Sequence, residues 1–127
     1  MKLFLAVSAV LAFIFGFALL FVSSSFYAPM GIAVTPAIAV TAQAQGAILV
    51  GIGALNWTAR TLPPSALRPV LIGNLVIQGL SLAVIARALV LHIVPAQNAG
   101  AVVVHTVLGA GFAYFLAKSR RMDPVAV

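Results

Sequence analysis

Apolar residues fill four stretches of this chain, at 3–22, 41–58, 67–94 and 99–118, and the breaks between them carry proline, glycine or clustered polar side chains. A spanning helix needs about 20 mostly apolar residues at 1.5 Å of rise each to cross a hydrocarbon core of ~30 Å. Each stretch is therefore predicted as a transmembrane helix. The first follows Lys2 and precedes Ser23, Ser24 and Ser25, the arrangement of a secretory signal, but it is longer than the 7–15 residues or so of a signal's apolar region. It is expected to be a retained helix. The pattern Ala42-Gln43-Ala44 lies too far along for normal cleavage.

Pro29, Gly31 and Pro36 interrupt the next segment, so a loop with a short interfacial turn is expected there, with Phe26 and Tyr27 at headgroup level. The second helix starts from Pro36 or Thr41, and Trp57 marks its far interface. Pro63-Pro64-Ser65 stops the chain stiffly before the third helix, which is expected to run to Val94 and halt at Pro95. Gln97 and Asn98 make the last turn, and the tail after Arg121 is expected to fray. No internal repeat stands out, and residues 1–127 read as one transmembrane domain.

Composition agrees, since a chain of 127 residues that is 64% hydrophobic and 6% charged cannot cover a water-facing surface. Charge adds an orientation. Lys2 precedes the first run, Arg60 and Arg68 bracket the middle link, and Lys118, Arg120 and Arg121 follow the fourth run, while the other two links carry no Lys or Arg. The positive-inside rule then puts both termini and the middle link in the cytoplasm. The fold class expected is an all-α, integral-membrane four-helix transmembrane bundle, N-in/C-in. The excess positive charge is topological and suits anionic lipid, which leaves no case for nucleic acid.

Small residues suggest where helices touch. Ala47, Gly51, Ala54 and Thr58 form a stripe on the second helix, extended by Gly46 and Gly53, and Gly109 lies with Ala101, His105 and Phe112 on the fourth. Such stripes let backbones approach and gain van der Waals contact in lipid. Intrachain packing is the expected use, and an oligomer interface the alternative. Polar groups within the spans form two sets. Asn56, Asn74, Gln78 and Ser81 make an interhelical polar face, with a permeation path as its rival.

The second set lies toward the outer side. Arg87 and His105 are equidistant from a fold point at Ala96, which would place them at similar depth, with Arg87 about 10 Å below Val94. His92 lies nearer the surface, and Gln43 and Gln45 enter from the second helix. Arg87, His92, Gln43 and Gln45 are candidate contacts for an anion, a lipid or a partner, because arginine can snorkel to phosphate or clamp a carboxylate. His105, flanked one turn away by Ala101 and Gly109, is either an interhelical hydrogen-bonding group or an axial ligand of haem or a chlorophyll-type pigment.

No catalytic residues are indicated. Asp123 is the sole carboxylate, no set of metal ligands is evident, and there is no cysteine. The stretches from Gly46 to Arg60, from Leu67 to Asn74 and from His105 to Phe115 resemble those of small bacterial four-helix integral membrane proteins to which no activity is assigned. The resemblance covers residues 3–118 and implies a bundle in the bacterial inner membrane. The expected function is a non-catalytic accessory or assembly subunit of a larger membrane complex, with lipids and other subunits, or copies of itself, as partners. The alternatives are a homo-oligomeric channel or carrier, and a haem- or pigment-binding subunit.

Overall fold

The computed structural model describes residues 1–122, with side chains as far as Ser119; Asp123 and most of the expected frayed tail lie outside the described residues. All regular structure there is helical: α1 (Lys2–Phe21), α2 (Ser23–Tyr27), α3 (Pro36–Ala59), α4 (Pro64–Val90) and α5 (Ala99–Met122), with single 3₁₀ turns at Ala28–Met30 and Ala96–Asn98. Four of these helices are long and apolar enough to cross a membrane, so the chain is a multi-pass membrane protein.

The helices form two hairpins, one over Lys2–Arg60 and one from Thr61 onward. In the first, α1 packs antiparallel to α3. The buried positions of α1 are Leu5, Ser8, Ala9, Gly16 and Leu19, and those of α3 are Ala42, Gly46, Gly53, Asn56 and Ala59. These fall at steps of three and four or their sums, the seam spacing of helices crossing at a shallow angle. Gly16 and Gly46 mark the closest approach. A Cβ on Gly46 would sit 2.7 Å from the Gly16 carbonyl oxygen and 2.9 Å from the Leu20 nitrogen; one on Gly16 would lie 3.0 Å from both the Gly46 oxygen and the Val50 nitrogen. Only hydrogen fits between these backbones. At Gly53 the Phe13 ring takes the space, 2.9 Å from where a Cβ would stand.

This corrects the expected packing stripe. Ala47, Gly51, Ala54 and Thr58 are exposed, and nothing lies within 4 Å of the place where a Gly51 Cβ would be. The seam runs instead through Gly46 and Gly53, around the helix from that stripe.

The second hairpin pairs α4 with α5. Leu67, Leu71 and Asn74 are buried on α4, and Phe112 and Ser119 on α5. Gly109, expected at a packing face, meets α4 here: its Cβ position lies 3.5 Å from Gln78 Cβ.

Helix ends shift for local reasons. α3 begins at Pro36 because the Thr35 hydroxyl accepts a hydrogen bond from the Ile38 N–H at 3.3 Å, and proline suits the first helical position. α4 begins at Pro64 by the same preference and ends at Val90, not at Val94. There His92 takes a left-handed φ of 53°, and the N–H groups of His92 and Ile93 reach back to the carbonyls of Leu89 and Ala88. That pair of bonds is a Schellman cap, with histidine where glycine is usual. Gly31, at φ 69°, closes the 3₁₀ turn after α2 with the matching pair, its N–H to Ala28 and that of Ile32 to Tyr27.

Candidate functional site

The second hairpin does not pair the residues that a fold point at Ala96 would bring level. Across the second hairpin the partner of His105 is Gln78: Nδ1–H of His105 donates to Oε1 of Gln78 at 2.7 Å. Gln78 belongs to the expected polar face of α4 and His105 to the expected outer set, so the two sets meet in this pair. Of that polar face, Asn74 is buried, with its amide donating to the Val70 carbonyl at 2.9 Å, and Gln78 and Ser81 are half-buried. Asn56 is buried in the first hairpin. No buried side-chain nitrogen or oxygen among the described residues lacks a hydrogen-bond partner.

His105 lies about 9 Å beyond the start of α5 by helical rise, well inside the span. Its amide partner can only accept through Oε1, so the proton is on Nδ1 and the Nε2 lone pair is left over. Gly109 and Ala101, one turn to either side, are half-exposed and add no bulk beside the ring. A site for a bare metal ion is not formed, since no group of three His, Cys, Asp or Glu side chains able to hold one occurs among the described residues.

Arg87 is not level with His105. It is exposed and sits in the last turn of α4, about 4.5 Å from the helix end rather than 10 Å below the surface. A cation there complements the negative end of the helix dipole and reaches headgroup phosphate easily. His92 is exposed in the adjoining cap, so Arg87 and His92 share one end of the second hairpin. Gln43 and Gln45 are exposed on α3, in the first hairpin.

At the other end of α3, the Arg60 guanidinium stacks over the Trp57 ring with 3.5 Å to its centroid and donates to the Trp57 carbonyl at 2.6 Å. This caps the helix and ties a cation to an interfacial aromatic. Thr58 and Thr41 return their hydroxyls to carbonyls one turn back, at 2.9 Å from Ala54 and 3.1 Å from Ala37.

Gly16 is the residue that sequence reasoning missed. Its signal was a lone glycine among phenylalanines and leucines in Leu11–Leu20. Ser119, Asn98, Ser8 and Ser23 are further buried polar groups that patterning did not single out, with Ser119 and Asn98 bonded to the nearby carbonyls of Leu116 and Pro95. No family model matches the chain, and no curated protein or solved structure is similar to it.

Proposed function

We propose that this chain is a non-catalytic accessory or assembly subunit of a larger complex in the bacterial inner membrane. The exposed small residues of α3 carry the reading. On α4 and α5, large exposed side chains recur at helical spacing, as with Ile72, Val76, Leu80 and Val84, or Val103 and Val107. On α3, Ala44, Ala47, Gly51 and Ala54 are exposed together, beside exposed Ile48 and Leu55, and leave the backbone at Gly51 open to close approach. Small residues at such a face favour contact with another helix over contact with acyl chains.

Pairing of polar side chains within the chain supports the same reading over a channel or carrier. Gln78 and His105 spend their hydrogen bond on each other, and Asn74 bonds within its own helix. The charge asymmetry supports insertion with both termini and the Arg60–Arg68 link in the cytoplasm. Placement in a bacterial inner membrane rests on the resemblance of residues 3–118. Arg87 at its helix end then serves lipid phosphate on the outer side.

Purification from native membranes in mild detergent, followed by mass spectrometry, tests this. Other membrane proteins should co-purify in fixed ratio and be lost with Gly51→Leu, while helicity is kept. A pure homo-oligomer would overturn the subunit reading in favour of a channel or carrier.

A further inference from the structure

We propose that His105 is a single-point axial ligand for a membrane-soluble metallated tetrapyrrole, with Gln78 as the residue that positions it. This is independent of whether the chain serves as an accessory subunit. The starting observation is a nitrogen lone pair in the wrong solvent. His105 makes its hydrogen bond through Nδ1 to Gln78, and no buried side-chain nitrogen among the described residues lacks a partner, so Nε2 keeps an accessible edge on the helix surface. Inside a span that edge meets hydrocarbon, where an unsatisfied polar atom costs free energy.

Three properties of the site select the ligand class. The Gln78 acceptor fixes the neutral tautomer that ligates a metal and strengthens Nε2 as a donor to it, the usual arrangement behind a metal-bound imidazole. The protein has one ligand to give here, since no three-ligand group is present among the described residues. A metal that brings four equatorial nitrogens of its own needs only one more, whereas a bare ion needs several. Finally, the half-exposed His105 has the small, half-exposed Ala101 one turn before it on α5, which leaves room beside the ring. A flat, apolar macrocycle fits that room, and a hydrated ion does not.

Titration of the detergent-solubilised full chain with iron protoporphyrin, and separately with a magnesium chlorin, tests the proposal by absorption spectroscopy. The two arms distinguish a haem from a chlorophyll-type source. A shifted, saturable band with either pigment is expected. His105→Gly should abolish it, and added imidazole should restore it. Gln78→Leu should weaken binding roughly 10–100-fold, as loss of a supporting hydrogen bond to a metal ligand does, and Gln78→Glu, which keeps the acceptor oxygen, should recover it. Circular dichroism of each variant separates a lost ligand from a lost fold. No spectral change with either pigment, or an unaltered band in a folded His105→Gly protein, would overturn the proposal.

Discussion

Gly46 and Gly51 are the same residue on the same helix, five positions apart, and they meet opposite surroundings. A side chain on Gly46 runs into the backbone of α1, which cannot move aside, while one on Gly51 meets nothing. Gly46→Leu should therefore destabilise the first hairpin by about 1–3 kcal/mol or more, and Gly51→Leu should stay within about 0.5 kcal/mol of the parent. Thermal unfolding in detergent reads both. The ranking was not legible in the sequence, because helices that are apolar all round carry no polar face to show which side turns inward. Exposed Ile48 and Leu55 look as core-like in sequence as buried Leu5 and Leu19. Arg87 belongs to this scale as well. Exposed in the last helical turn, it needs only reach and charge, so Arg87→Lys should leave stability and lipid retention as in the parent, as measured by unfolding and by mass spectrometry of retained lipids.

At the scale of elements, the existence of all four spanning helices was legible from apolar length alone, since bilayer thickness sets the requirement. Their ends were less so. Proline marked the starts at Pro36 and Pro64 well, because it has no N–H to lose in the first turn. The end of α4 depended on His92 entering the left-handed region, which residue type alone does not signal as glycine does. In the same hairpin it is Gln78, not Arg87, that reaches His105. A β-branched residue tolerates this backbone poorly, so His92→Val should cost about 1–2 kcal/mol, whereas His92→Gly should be neutral or stabilising. Unfolding midpoints of the two variants give the comparison. The Gln78–His105 bond itself should contribute about 0.6 kcal/mol, the average for hydrogen bonds between helices in lipid.

For the whole molecule, charge asymmetry predicts sidedness, and the absence of native cysteine makes single-cysteine labelling clean. Ser24, Gln97, Ser65 and Lys118 are exposed and suit the experiment, whereas Ser119 is buried. In intact cells an impermeant reagent should reach Ser24→Cys and Gln97→Cys, and should miss Ser65→Cys and Lys118→Cys. Labelling of Ser65→Cys would contradict the inside-facing arrangement.

The exposed small residues of α3 are proposed to receive a helix from another protein, and the subunit role stands or falls with that contact. Cross-linking from Gly51→Cys in native membranes, with Val84→Cys on the large-residue face of α4 as the control, tests it most directly. A discrete adduct containing a different polypeptide is predicted from position 51, and none from position 84. Adducts with lipid alone at both positions, or with a second copy of this chain at position 51, would contradict it.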